Sequence, residues 1–176
     1  ICGGTNTIFN AITVNGGTTP SYEWMVNGIK VTKDTADYEF IPGNGDVVTV
    51  KLASSALCPS VDTATDTLVM TVVNREIPKV SLTPFPADVI CMGAAVTLTP
   101  VPLFGGPSPK YYYMLNGKLI GTGSKLAYKP TDGDVFVVYM VSDFECRIVD
   151  TVNGSQLIHV DTPVIPYFQV EAYPPV

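Results

Sequence analysis

Pro20-Ser21-Tyr22-Glu23-Trp24-Met25-Val26-Asn27-Gly28 reads in the same order as Pro109-Lys110-Tyr111-Tyr112-Tyr113-Met114-Leu115-Asn116-Gly117, 89 residues further along. Such self-similarity at a fixed period decides the organisation of a chain before any local reading does. Upstream, Gly16-Gly17 answers Gly105-Gly106 and Cys2 answers Cys91. Downstream the offset becomes 88, matching Pro42 with Pro130, Gly45-Asp46-Val47 with Gly133-Asp134-Val135, Cys58 with Cys146 and Val72 with Val160. Pro78 to Pro86 (PKVSLTPFP) is echoed by Pro166 to Pro174 (PYFQVEAYP), so the 176 residues read as two periods of 88 with a third unit beginning. The expected boundaries are 1–75 for a first repeat lacking its first strand, 76–162 for a second repeat, and 163–176 for the first strand of a following repeat. The chain opens at Ile1 without Met, charged n-region or apolar h-region, which predicts a processed product or a stretch of a longer tandem array.

Each period reads as β throughout. Ile8 to Val14, Tyr22 to Val26, Val47 to Ala53 and Thr67 to Val73 are short runs rich in β-branched and aromatic residues. Gly, Pro, Asn and Asp clusters separate them, the pattern of an all-β sandwich. Alternate residues of a strand share a face, so Tyr22, Trp24 and Val26 point one way. Asn27-Gly28 and Asn116-Gly117 supply the positive φ that a tight hairpin turn needs. Asp134 to Val141 is apolar on both faces, as a central strand is. No stretch of ten residues carries a 3.6-residue period, so helix content is expected near zero. Units of this size bury their own cores, with Trp24 and its counterpart Tyr113 as the central plugs. The competing reading of such aromatics is an exposed platform for stacking sugars.

Composition removes several function classes. With 46% hydrophobic and 15% charged residues the chain is not disordered. No run approaches the ~18 to 20 apolar residues of a membrane-spanning helix. A net charge of -6 lacks the basic face that a nucleic-acid partner requires. One His and few charges leave most catalytic schemes short of parts, and His159 has no candidate nucleophile nearby, so the expectation is a protein that is not an enzyme. The Gly pairs do not open helices and form no phosphate cradle. Asn44-Gly45-Asp46 and Asp132-Gly133-Asp134 lack the ligand spacing of a calcium loop and read as turns. No C-x-x-C spacing suggests a metal, and no cofactor is implied.

Cys2 to Phe9 (CGGTNTIF), Asn15 to Gly28, Asn44 to Val50, Ser54-Ser55 before Cys58, and Met70-Thr71-Val72 resemble the PKD-like, immunoglobulin-like repeats of Bacteroidota surface proteins. Those repeats occur in very long chains exported by the type 9 secretion system, including the giant mobile adhesins of gliding bacteria. The resemblance covers nearly the whole chain. It is specific for the first repeat and looser for the second, where Tyr113 replaces the Trp and the segment before Cys146 diverges. It implies tandem immunoglobulin-like (PKD-like) β-sandwich repeats, an extracellular place on the cell surface, and a non-catalytic structural or adhesive role. Fold alone names no target. Two other functions compete with that of a stalk. One is direct binding of a glycan or protein through exposed Tyr111, Tyr112, Tyr167 or Tyr173; the other is service as accessory modules beside a secreted enzyme.

In an exported chain four Cys imply disulfides, and four Cys allow three pairings. Within-unit pairs would be Cys2 with Cys58 and Cys91 with Cys146. In a sandwich, however, Cys2 precedes the second strand at the end where the chain leaves the unit. Cys58 follows the sixth strand at the opposite end. A strand of seven to ten residues separates those ends by roughly 23 to 33 Å, against ~4.4 to 6.8 Å between bridged Cα atoms. Head-to-tail stacking brings Cys2 near Cys146 instead, leaving Cys91 for a following repeat and Cys58 for a preceding one. Both pairings stay open at this point.

Five of the eleven Asp residues precede Thr, and Asp34-Thr35-Ala36, Asp62-Thr63-Ala64, Asp66-Thr67-Leu68 and Asp150-Thr151-Val152 continue into an apolar residue. These triplets resemble the Asp-Ser/Thr-apolar signal for O-glycosylation of exported Bacteroidota proteins, which implies glycans at one or more of Thr35, Thr63, Thr67 and Thr151. The competing reading is turn capping. Asn153-Gly154-Ser155 fits an N-glycosylation sequon but reads as a turn. Pro78, Pro84 and Pro86, like Pro163, Pro166, Pro174 and Pro175, flank the first strand of a unit, where proline suits edges and stiffens linkers. The expected partners are adjacent repeats of the same chain and a surface or glycan target.

Overall fold

The computed structural model describes residues 1–173; Pro174, Pro175 and Val176, which complete the echo in the tail, lie outside the described residues. The chain divides into two compact units, the first ending at Glu76 and the second starting at Ile77. Every regular element among the described residues is a strand. None of them is a helix long and apolar enough to cross a membrane.

Unit 1 contains β1 (Thr7–Asn10), β2 (Ser21–Val26), β3 (Ile29–Lys30), β4 (Asp37–Phe40), β5 (Val47–Ala53) and β6 (Thr63–Val69). They form a two-stranded sheet, β1-β4, and a four-stranded sheet in the order β3-β2-β5-β6. Unit 2 contains β7 (Lys79–Phe85), β8 (Val89–Cys91), β9 (Val96–Leu103), β10 (Lys110–Leu115), β11 (Lys118–Thr122), β12 (Leu126–Tyr128), β13 (Asp134–Val141) and β14 (Thr151–Asp161). Its sheets run β12-β9-β7 and β11-β10-β13-β14-β8, with β8 parallel to β14. Two sheets in this order, antiparallel apart from the β8–β14 pair, make an immunoglobulin-like β-sandwich.

The repeat is visible down to register. Trp24 on β2 stands opposite Val50 on β5, and Tyr113 on β10 stands opposite Val138 on β13. Both hairpins turn through left-handed Asn-Gly pairs, with φ of 52° and 79° at Asn27-Gly28 and 51° and 77° at Asn116-Gly117. Cys2 bridges Val73 in parallel, the one-residue equivalent of the β8–β14 ladder. Gly17 and Gly106 also match: each has φ above 80°, and a Cβ on either would strike the backbone of the loop after β5 or β13. That close approach, not a ligand, explains the two Gly pairs.

Each core is built around one large aromatic between the sheets. In unit 1, Trp24 packs with Phe9, Val48 and Met70, and its Nε1 donates to the Thr35 carbonyl at 2.9 Å. Tyr38 and Phe40 stack beside it, and Phe9 stacks on Phe40 with ring centroids 5.3 Å apart. In unit 2, Tyr113 is fully buried with Val96, Leu98, Phe136, Val138, Met140 and Ile158. Its hydroxyl has no hydrogen-bond partner among the described residues. Burial, with a smaller contribution from Tyr111, pushes that hydroxyl up to about 12.

Three strand expectations shift. The run expected at Ile8 to Val14 ends at Asn10, because its partner β4 begins only at Asp37 and gives no ladder beyond it. The last strand of unit 1, expected at Thr67 to Val73, is Thr63–Val69. Past it Met70 N–H still donates to Asp46 O, just before β5, and the backbone then changes partner, with Val73 N–H donating to Ile1 O. The tail, expected to form the first strand of a following repeat, holds no regular element from Thr162 to Tyr173. A strand needs a ladder partner, and the tail's Phe168 and Val170 are 88% and 82% exposed.

Replacing Tyr113 by Phe removes an unpartnered buried hydroxyl, so at neutral pH unit 2 is expected to hold or gain stability, by up to about 1–3 kcal/mol. Tyr113→Ala opens a cavity and is expected to cost about 3–5 kcal/mol. The pH sign follows from the raised value. Stability is full below pH 10, the ordinary tyrosine value, and is lost as pH rises through about 12. Denaturant titrations followed by circular dichroism at pH 7 and above pH 10 check this. Wild type is expected to weaken at high pH more than Tyr113→Phe does.

Candidate functional site

The chemically distinctive side chains lie at strand ends, so their roles follow from what the turns already use. Asp46, just before β5, accepts from Gly43 N–H at 2.7 Å and from the Asn27 amide at 2.9 Å. The Asn27 amide, then the Gly43 N–H, holds the Asp46 carboxyl below the usual carboxylate range. Asn44 Oδ1 accepts from Val72 N–H at 3.0 Å. Unit 2 repeats both bonds: Asp134 accepts from Thr131 N–H and Asp132 Oδ1 accepts from Val160 N–H, each at 2.9 Å. Asp46 and Asp134 thus close their turns, while Asn44 and Asp132 tie those turns to Val72, just after β6, and to Val160 in β14. Among the described residues no three His, Cys, Asp or Glu side chains gather as metal ligands would. His159 lies 3.7 Å from Asp132, with both side chains exposed.

The four cysteines fall into two states. Cys2 and Cys146 are disulfide-bonded, whereas Cys58 and Cys91 are free thiols at exposed positions. Their places match by period. Cys2 and Cys91 sit where the chain runs parallel to the last strand of each unit. Cys58 and Cys146 sit in the loops β5–β6 and β13–β14, exposed and 3% exposed respectively. Each within-unit pairing would consume one of the two free thiols, so neither of those pairings is made.

Thr35, Thr63, Thr67 and Thr151 are all exposed. Thr35 Oγ1 donates to Asp37 O at 2.7 Å, while its carbonyl receives the Trp24 indole. Thr67 Oγ1 lies 3.1 Å from Thr49 Oγ1 across the β5–β6 pair. Thr63 and Thr151 open β6 and β14. Of the tyrosines weighed for sugar stacking, Tyr111 and Tyr112 are neighbours on β10 and face opposite sides of the sheet, so they form no single patch. Tyr167 and Tyr173 are exposed in the tail.

One feature of unit 1 has no counterpart in unit 2. There β9 is paired on both edges, by β12 and β7, whereas in unit 1 β1 is paired with β4 alone. Every residue of β6 is exposed. Between β1 and β6 opens a groove of about 640 Å³, with Trp24, Val48 and Met70 at its floor and Phe9 and Leu68 on its walls. In unit 2 strand β7 lies in the equivalent place, with Val80 and Leu82 buried. It lies so close to β14 that a Cβ on Gly154 would collide with the Val80 carbonyl. No motif marks this groove.

No family model matches the chain, and no curated protein matches it. Among solved structures it is similar to a Ca²⁺-stabilised adhesin with which an Antarctic bacterium binds ice, at 15% identity and a TM-score of 0.49, over 90% of this chain and 44% of that one. The three-domain ectodomain of mouse nectin-like molecule 4 gives 13% identity and a TM-score of 0.42, over 93% of this chain and 66% of that one. Fibronectin(III)-like modules of Clostridium thermocellum CbhA give 12% identity and a TM-score of 0.36, over 97% and 93%. The chain thus spans less than half of the adhesin's length.

The cysteine states give a direct test. Without reductant, maleimide is expected to modify Cys58 and Cys91 and to leave Cys2 and Cys146 untouched, as read by peptide mass spectrometry. Labelling of Cys2 in the folded, unreduced protein would contradict the assignment.

Proposed function

We propose that the chain is a non-catalytic structural segment of a long bacterial surface filament. In this reading its sandwich repeats are joined by disulfides into a semi-rigid stalk of the kind exported by type 9 secretion. The observation that carries the reading is the cysteine pattern: one oxidised Cys in each unit, at non-equivalent positions, with the two leftover thiols at the complementary positions. A Cys2–Cys146 bond between consecutive repeats accounts for that pattern, and it leaves Cys91 for the next repeat and Cys58 for the one before. Repeats of this kind behave as a one-dimensional array whose stability is the sum of each core and each junction. A covalent junction converts such an array from beads on a string into a rod that projects a distal site from the cell.

The surface chemistry is compatible with that role. Acidic turn residues are spent on backbone caps. Thr35, Thr63, Thr67 and Thr151 are accessible to O-glycosylation. Glycans there would hydrate strand edges against aggregation and proteolysis. The partners in this account are neighbouring repeats and, at the far end of the filament, a surface or glycan target.

Non-reducing peptide mapping tests the junction. A cross-linked peptide pair containing Cys2 and Cys146 is expected, and a link from Cys2 to any other residue would overturn the staple. Cys2→Ser is expected to lower unfolding stability by about 5 kcal/mol in the chain-entropy model of a loop longer than 100 residues. It is also expected to shorten the rotational correlation times of the two units measured by NMR relaxation, as they begin to tumble separately.

A further inference from the structure

We propose that Asn116 is a site of spontaneous deamidation, and that the isoaspartate formed there loosens β11, the edge strand of unit 2. Asn-Gly is the pair at which this chemistry is least hindered, because glycine has no side chain to keep its nitrogen away from the Asn amide. Five of the eight Asn residues precede Gly, at Asn15, Asn27, Asn44, Asn116 and Asn153. The reaction needs the nitrogen of the following residue to reach the side-chain carbonyl carbon of Asn, so bonds that hold either group slow it. The fold therefore decides which of the five react.

Four of them are held. Asn27 donates its side-chain amide to Asp46, accepts from Val47 N–H through Oδ1, and donates its own N–H to the Val47 carbonyl, each at 2.9 Å. Asn44 Oδ1 accepts from Val72 N–H at 3.0 Å, and the Gly45 N–H that would have to attack donates to the Met70 carbonyl at 2.9 Å. The Asn15-Gly16 peptide is fixed by Ser54 Oγ on the Asn15 carbonyl at 3.0 Å and by Ser55 N–H on the Gly16 carbonyl at 2.8 Å. Asn153-Gly154 lies inside the β13–β14 ladder. Asn116 is exposed, and neither its side chain nor its N–H has a hydrogen-bond partner among the described residues. Asp134, the counterpart of Asp46, accepts from Thr131 N–H instead. The same left-handed turn is thus tied to β5 in unit 1 and held only by its own hairpin in unit 2.

Hydroxide removes the proton of Gly117 N–H, and the nitrogen bonds to Asn116 Cγ. The Cγ–Nδ2 bond breaks, and ammonia leaves after taking a proton back from water, which closes a succinimide. One water then opens the ring. Cleavage of the new N–Cγ bond gives aspartate. Cleavage at the Asn116 backbone carbonyl gives isoaspartate, in which the main chain runs through the side-chain carbon. Either product adds a negative charge to the hairpin. Isoaspartate also lengthens a two-residue turn by one carbon, and such turns fit only because their dihedrals match the twist of the strands they join. Between this turn and the ladder irregularity at Tyr113/Met114 stand just the pairs Leu115↔Lys118 and Met114↔Leu119. β11 lies at the edge of its sheet and is paired with β10 alone among the described residues.

The test keeps the full chain folded at mildly alkaline pH and maps its peptides over time by mass spectrometry. Isoaspartate is read by isoaspartyl methyltransferase with labelled S-adenosylmethionine. Asn116 is expected to convert first, about tenfold ahead of Asn27, the factor that one charge-assisted hydrogen bond on the leaving amide makes in a rate. In urea, which releases all five turns, the rates are expected to converge. Asp46→Ala, in a chain that keeps its circular dichroism spectrum, is expected to speed Asn27 several-fold and leave the Asn116 rate as it was. Asn116→Gly supplies a residue suited to the same turn and is expected to keep the spectrum and yield no methylated hairpin peptide. Hydrogen exchange in the aged chain, separated from the fresh one by anion exchange, is expected to quicken across Lys118–Thr122. Asn116 converting no faster than Asn27 in the folded chain, or a ranking that survives in urea, would overturn the site. Unchanged exchange in β11 would overturn the loosening.

Discussion

Two β-sheets packed face to face stand about 10 Å apart, and the space between them must be filled by side chains from both inner faces. In each unit one aromatic on the second long strand does most of that filling, and the surrounding elements answer to it. Trp24 brings a polar indole N–H into the core, and the loop before β4 turns its Thr35 carbonyl inward to receive it. Tyr113 occupies the equivalent place and is more deeply surrounded, because β7 closes the flank of its sandwich. Its hydroxyl has nothing comparable to bond among the described residues. The same geometric requirement is therefore met with a satisfied polar group in one unit and an orphaned one in the other.

Closure of the flank is the second half of the same constraint. A sandwich with an open flank would expose both a sheet edge and the interior beside it, the two features most prone to pair with another chain. Unit 2 avoids this with β7, an edge strand that tolerates Pro84 because its outer side has no ladder to complete. Pro100 and Pro102 in β9 are tolerated for a related reason. The partner β12 reaches only Val96 to Leu98, so the prolines lie where β9 has a neighbour on one side alone. Unit 1 has an aromatic core of the same design, but its β6 is exposed along its whole length.

Most of the fold was legible in the sequence because period, alternation and turn chemistry agreed. The Asn-Gly pairs, the run Val47 to Ala53 and the run Asp134 to Val141 needed no tertiary information, since each carries its own geometry. The expectations that shifted are those where a neighbour decides. Ile12 and Val14 are β-branched and look like strand, yet β4 gives them no ladder. The tail repeats the pattern of β7 and still forms no strand among the described residues, because propensity does not substitute for a partner. Asn44-Gly45-Asp46 and Asp132-Gly133-Asp134 read as turn residues, but the reach of Asn44 to Val72 and of Asp132 to Val160 depends on backbone almost thirty residues away in sequence.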